Sequence, residues 1–526
     1  MFDIILANGL VLDGTGAPAR RLDVGIRSDR IAAMGDLTGA SADRRIDAKD
    51  RIVAPGFVDI HTHSDFVLLV DGAAESQIRQ GVTTEIVGQC GHSCAPWTGL
   101  AAGARFFGYR EAGVDLNWRS FGEYLDRLEA AKPALNVAAF VGHGAIRDTA
   151  IDQGTPEVGA MVALAEAAFD EGAIGLSTGL EYWPGIEAPF DEIVSMAKVA
   201  AKRGGLYATH VRNRDLYCSQ AFAEAIDTAR LSGARTQISH IQPKFGAPPG
   251  AMADALTAID AARRAGVDVG FDVIPHEWSH TYVAAMLPPW AREGGTAATL
   301  ARLRDSDTRA RMKINPAPIW RLVEARHWDR IVLLDSAANR DLVGRTFAEI
   351  GARRGVDPHD AALDLLLEEG EGMAGLLWTS RNFEDADVCM CLRHPDGIAM
   401  SDTMALSPRG PLGRAIGSLG GYGWTARLLG HYARDRAVLS LPDAVARITS
   451  KPADRAGLKD RGRLAVGMFA DAVVFDPATI ADRASAADPR VHPTGIDAVL
   501  VNGRVAFAAG DGVDGARAGR VLRGGR

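Results

Sequence analysis

Eight apolar, strand-like runs alternating with amphipathic helical segments, and hairpin-like strands at both ends, predict an α/β chain. The expected architecture is a (β/α)8 TIM barrel with a small β-sandwich domain formed by both chain termini and a lid insertion. In residues 1–55, DIILANGLVLDG and DVGIRSDRIAAMG alternate short apolar runs with turn signals, and the Asn8-Gly9 dipeptide suits a tight hairpin. The eight runs follow: IVAPGFVDIH (52–61), TTEIVGQC (83–90), NVAAFVGHG (136–144), IGLSTGLEY (174–182), LYATHVR (206–212), RTQISHIQ (235–242), DVGFDVIP (268–275) and GIAMSD (397–402). Several gaps carry helical periodicity, as in EVGAMVALAEAAFDEGA and SQAFAEAIDTARLSG, each ending near a glycine able to cap a helix. The interval between the seventh and eighth runs is about 120 residues long. Residues 277–345 within it are read as an inserted lid, rather than an independent domain, because they lack a strand-rich core. Residues 460–526 return to the hairpin pattern, with Asn502-Gly503 and Asp511-Gly512 at turns. Neither end alone has enough strands to bury a core, so the two are expected to share one sandwich beside a barrel of residues 56–459.

The 526 residues are 47% hydrophobic and 24% charged, a globular balance that excludes wholesale disorder and coiled coil. A net charge of −8 argues against a nucleic-acid partner. No apolar run is long enough to span a membrane, and Asp3 stands where a signal peptide carries basic residues, so a cytoplasmic location and no membrane partner are expected. Five scattered cysteines read as reduced thiols. Nothing fixes the oligomeric state, and a homo-oligomer stays open.

The histidines matter by position. His61 and His63 close the first run as HTH, and strand alternation points both the same way. Cys90 closes the second run, His210 the fifth, His240 the sixth and Asp402 the eighth. All six therefore lie at C-terminal strand ends, the catalytic face of a barrel. Imidazole, thiolate and carboxylate are ligand types for zinc and related divalent ions. Each residue alone has an ordinary reading: a hydrogen-bonded core histidine, a buried thiol, a helix N-cap. It is the coincidence of all six that points to metal chemistry.

The flanks ILANGLVLDGTG, DAKDRIVAPGFVDIHTHSD and TSKPADRAGLKDRGRLAVGMFADAVVFDP resemble those of the amidohydrolase superfamily, metal-dependent hydrolases on a (β/α)8 barrel with a terminal β-sandwich. GVTTEIVGQCG, FVGHGAIR, GAIGLSTGLEYWPG, ATHVRNR, ISHIQ and LLGHYARDRAVLSLPDAVARITS are similar to the N-acyl-D-amino-acid deacylases, the D-aminoacylase branch. The resemblance implies that His61 and His63 hold one metal site, that His210 and His240 hold another, that Cys90 stands between them, and that Asp402 is the catalytic acid/base. It implies one or two Zn2+ per chain and hydrolysis of a linear amide C–N bond in a small-molecule substrate by metal-activated water. The superfamily's bridging lysine is missing from the fourth run, where Glu181 is the nearby carboxylate: a bridging ligand, a substrate-shell residue or a solvated loop residue.

The D-aminoacylase branch grips its substrate's carboxylate with a lysine, a tyrosine and an arginine, whose positions here align with Gln242, His276 and Gly420. Their replacement opens neutral amides, anilides or carbamates alongside N-acyl amino acids as substrates. Lys244, Arg212, Arg214, Arg409 and Arg414 are candidate substitute anchors or plain surface residues, and His280 is a further candidate for the pocket wall. A cyclic-amide hydrolase or deaminase of the same superfamily is the alternative reading. A non-catalytic metal-binding scaffold is the minor one, disfavoured because a scaffold needs no base such as Asp402.

Overall fold

Short apolar runs rich in Val, Ile and Phe suit buried strands, and in the computed structural model each of the eight runs contributes a strand to one parallel sheet. The structure describes residues 1–98, 113–293, 295–314, 320–413, 415–486, 488–513 and 517–525. The strands are β1 (Phe57–Asp59), β2 (Val82–Val87), β3 (Asn136–Gly142), β4 (Gly175–Gly179), β5 (Leu206–His210), β6 (Arg235–Ile238), β7 (Val269–Val273) and β8 (Ile398–Ala399). They are hydrogen-bonded in the order β8-β7-β6-β5-β4-β3-β2-β1. The ring closes just beyond β1 and β8, where Thr62 bridges Thr403 in parallel, the His63 N–H donates to the Thr403 carbonyl at 2.7 Å and the Asp402 N–H donates to the His61 carbonyl at 3.1 Å. Barrel closure is thus what carries Asp402 to the HTH segment, 339 residues away in sequence. Helices Val158–Asp170, Phe190–Lys202, Cys218–Ser232 and Ala251–Arg264 fill the crossovers from β3 to β7 and bury their apolar faces on the sheet.

The first sequence run divides at Gly56. Ile52–Pro55 joins the terminal sheets and only Phe57–Asp59 joins the barrel. A Cβ at Gly56 would lie 2.1 Å from the Thr83 hydroxyl, so only glycine allows the chain to pass from one layer to the other here. The terminal sheets draw on both ends of the chain. One has four strands (30–35, 23–27, 2–7, 42–47) and the other seven (512–513, 504–508, 496–501, 472–475, 52–55, 10–11, 20–21). Ile4, Leu6, Val24, Ile26, Val53, Val474 and Leu500 meet in a shared core. The last strand, Val521–Leu522, pairs instead with β3 of the barrel.

Between β7 and β8 the chain builds a three-stranded antiparallel sheet from Trp278–Tyr282, Ile331–Asp335 and Leu377–Arg381, with the last in the centre. Leu303, Leu333, Phe347, Leu363, Leu366 and Trp378 form a core separate from that of the barrel. The inserted structure therefore runs past residue 345 to Arg381, because its central strand comes last in sequence. Among the described residues no helix is long and apolar enough to cross a membrane. All five cysteines are free.

Candidate active site

The C-terminal ends of the strands gather the expected side chains. Cys90 Sγ lies 3.3 Å from His61 Nε2, 3.5 Å from His210 Nδ1 and 3.4 Å from His240 Nε2. Asp402 Oδ1 lies 3.1 Å from His63 Nε2 and 3.4 Å from His61 Nε2. The donor atoms form two overlapping sets, His61–His63–Cys90–Asp402 and Cys90–His210–His240, each within 4.8 Å, with Cys90 common to both. A tetrahedral zinc with Zn–S of about 2.3 Å and Zn–N of about 2.0 Å separates its sulfur and nitrogen ligands by about 3.5 Å. The observed 3.3–3.5 Å spacings fit that donor set, and two sets sharing one sulfur accommodate one or two ions.

Local backbone makes the convergence possible. Cys90, His240 and Asp402 all adopt left-handed φ values, 53°, 36° and 51°, which are unfavourable for non-glycine residues and turn each side chain inward at its strand end. Gly179, at the end of β4, lets the Cys90 loop lie against it, since a Cβ there would sit 1.9 Å from the Cys90 carbonyl oxygen.

Burial holds His61 down to about 3 and His210 to about 4, and pushes His240 well below the usual imidazole range, so all three are neutral donors. Burial likewise raises the Cys90 thiol well above its ordinary value. Burial would raise Asp402 too, but its hydrogen bond with His63, whose own value that contact raises, prevails and holds it well below the usual carboxylate range.

Glu181 is buried behind His210, outside both donor sets, and is not solvated. Its Oε2 is 2.8 Å from His210 Nε2, and Lys244 Nζ reaches both oxygens at 2.8 and 2.6 Å. Burial opposes ionisation, yet Lys244 and the His210 hydrogen bond bring Glu181 down to about 2. An ionised Glu181 accepts the His210 Nε2–H and leaves the Nδ1 lone pair facing Cys90.

The remaining substrate candidates divide. Lys244 is buried and lines the cavity above the donors, as His280 does. Gln242 spends its side chain on the Ile274 backbone, donating at 2.7 Å and accepting at 3.1 Å. Arg212 is paired with Glu224 and with the carbonyls of Ile186 and Ala188, and His276 stands off the cavity wall. Arg409 is exposed, and Arg414 lies outside the described residues. The cavity measures about 1450 Å3 and is walled by the donors on one side and by the insertion (Ser279, His280, Trp320) on another.

Sequence reasoning missed Asp272, whose Oδ1 accepts the His240 N–H at 2.5 Å and lies 3.9 Å from His61 Nδ1. Its signal was a lone acid in the otherwise apolar run VGFDVI.

Comparison with known proteins agrees with this geometry. The chain is 36% identical over 529 residues to an N-acyl-D-glutamate deacylase of Alcaligenes xylosoxydans xylosoxydans, covering 99% of this chain and 96% of the relative. It superimposes on a D-aminoacylase structure described for its binuclear metal centre with a TM-score of 0.81 at 33% identity, covering 99% of this chain and 100% of the other. It also superimposes on an N-acyl-D-glutamate deacylase from Bordetella bronchiseptica, complexed with zinc and a phosphonate mimic of the tetrahedral intermediate. That match has a TM-score of 0.82 at 32% identity and covers 99% of each chain. A model of the amidohydrolase family matches residues 44–507, and the chain belongs to that family.

Proposed function

We propose that the chain is an N-acyl-amino-acid deacylase, hydrolysing the linear amide bond of an N-acylated amino acid to a carboxylic acid and a free amino acid. The observation that carries this reading is Cys90 shared between two imidazole sets, with Asp402 beside one of them, at the floor of a cavity large enough for an acyl chain and an amino acid. The D configuration is supported by relatives named for D-amino acids.

His61, His63 and Cys90 would hold one zinc ion, and Cys90, His210 and His240 another. Bound zinc supplies Lewis acidity, polarising the scissile carbonyl and lowering the pKa of water from about 15.7 toward 7. Asp402, ionised at neutral pH and fixed by His63, accepts a proton from the attacking water and delivers it to the leaving nitrogen, which is otherwise a poor leaving group. Glu181 and Lys244 hold His210 in the required tautomer.

The test is amine release from an N-acetyl-D-amino acid by the zinc-supplemented protein, with and without chelator. Chelator-sensitive release is expected. Failure on a panel of such acids alongside cleavage of neutral amides, anilides or carbamates would replace the substrate class, and inactivity on all of them would end the reading. The same proposal divides the chain into a sandwich of residues 1–55 and 460–526, a barrel of 56–459 and a lid in the insertion. It places the protein in the cytoplasm, supported by the free thiols.

A further inference from the structure

Four residues past His210, Arg214 is buried, with 5% of its surface exposed, and lines the cavity. Its Nη1 donates to the backbone carbonyl of the donor residue His240 at 2.7 Å, its guanidinium lies 5.6 Å from the Phe383 ring centroid, and its own carbonyl accepts the Lys244 N–H at 2.6 Å. It makes no ion pair among the described residues, and Nε has no hydrogen-bond partner.

The neighbouring cations differ. Lys244 is neutralised by Glu181, whose two oxygens are taken by Lys244 and His210, and Arg212 is neutralised by Glu224. Burying a charge without a partner is costly, so a guanidinium held in one place and left unanswered is suited to an anion that arrives with the substrate. The place is apt. In an N-acyl amino acid the carboxylate carbon is only two bonds from the scissile nitrogen, so a group that grips it must adjoin the donor cluster. Arg214 is bonded to the backbone of one donor.

We propose that Arg214 is the substrate-carboxylate anchor, pairing with the α-carboxylate of the N-acyl amino acid while the amide lies over the Cys90–Asp402 cluster; this rests on the deacylase reading above. It also accounts for how a free acid can be held where Gln242 is committed to the backbone and Lys244 to Glu181.

The experiment compares an N-acetyl-D-amino acid with its neutral methyl amide, using wild type and Arg214→Gln, which keeps a donor for the His240 carbonyl. Zinc content and Tm are measured on both proteins. The wild type is expected to prefer the acid. In the variant kcat/KM for the acid should fall about 10- to 100-fold, the worth of a lost charge-assisted pairing, mainly through KM, and the preference for the acid should shrink in proportion. Calorimetry with an N-methylsulfonyl D-amino acid, which presents the carboxylate but no cleavable amide, should show the same weakening. A variant that handles the acid like wild type, or that loses acid and methyl amide equally, overturns the proposal. A wild type that cleaves the methyl amide and not the acid overturns it too, while leaving amide hydrolysis intact. If the wild type cleaves neither, the deacylase reading fails separately and calorimetry decides: carboxylate binding lost in the variant supports the anchor, and binding retained overturns it.

Discussion

Cys90 combines a strained backbone with a thiol that burial keeps protonated, while the imidazoles around it are kept neutral. The sign of the pH dependence follows. Raising a thiol's pKa means the metal-free protein holds that proton through neutral pH, and a metal must displace it; lowering the imidazole values means His210 and His240 have no proton to lose. Filling the Cys90–His210–His240 set with zinc should therefore release one proton, that of the shared thiol, between pH 5.5 and 7.5, with affinity rising about tenfold per pH unit. Calorimetry in buffers of different ionisation enthalpy measures this, and release of two or three protons would show that the histidines titrate as exposed ones do. Asp402 gives the second prediction at this scale. Asp402→Asn keeps the volume and the position beside His63 but removes the proton acceptor. Zinc in the Cys90–His210–His240 set should be retained and kcat should fall about 10^2- to 10^4-fold. Loss of zinc in step with activity would instead make Asp402 a ligand of the His61–His63–Cys90 set.

At the scale of elements, the strand ends were legible because alternation and length locate them. HTH, Cys90, His210, His240 and Asp402 could be placed on one face from spacing alone, and barrel closure through Thr62 and Thr403 completes that face. The loops were not legible. Lys244 and Glu181 are 63 residues apart, and their pairing depends on how the loops after β4 and β6 fold over each other, which no periodicity encodes. Gln242, at the position of the family's carboxylate-gripping lysine, was not legible for the same reason: its offset from His240 says nothing about Ile274, which takes both ends of its amide. The Glu181 contact has a measurable consequence. Glu181→Gln leaves the donors untouched but weakens the hold on His210 and leaves Lys244 without its counter-charge. Zinc affinity should drop about 10- to 100-fold, the usual effect of losing an outer-shell carboxylate. Competition with a chromogenic chelator reads this directly, and unchanged affinity would reduce Glu181 to a structural partner of Lys244.

Over the whole molecule, the barrel supplies the donors and the insertion supplies the far wall of the cavity, and the two have separate hydrophobic cores. The sequence concealed the insertion's core because its central strand, Leu377–Arg381, is parted from its partners by long helical segments and looks isolated until the sheet is assembled. Large apolar side chains of the insertion serve that core: Leu287 lies within it and Trp290 packs against it, and neither lines the cavity. Separate cores imply that damage to one can be confined. Trp378 is 1% exposed and stacks edge-on against Trp320 at 5.2 Å and Phe347 at 6.1 Å, and Trp320 in turn lies 5.0 Å from Lys244 Nζ. Trp378→Ala should cost about 3–5 kcal/mol within the insertion. Because every proposed zinc donor is on the barrel, zinc content should remain at the wild-type level while KM rises and protease cleavage concentrates between residues 278 and 381. Loss of zinc in step with the rise in KM would mean that the insertion and the metal centre fold as one cooperative unit.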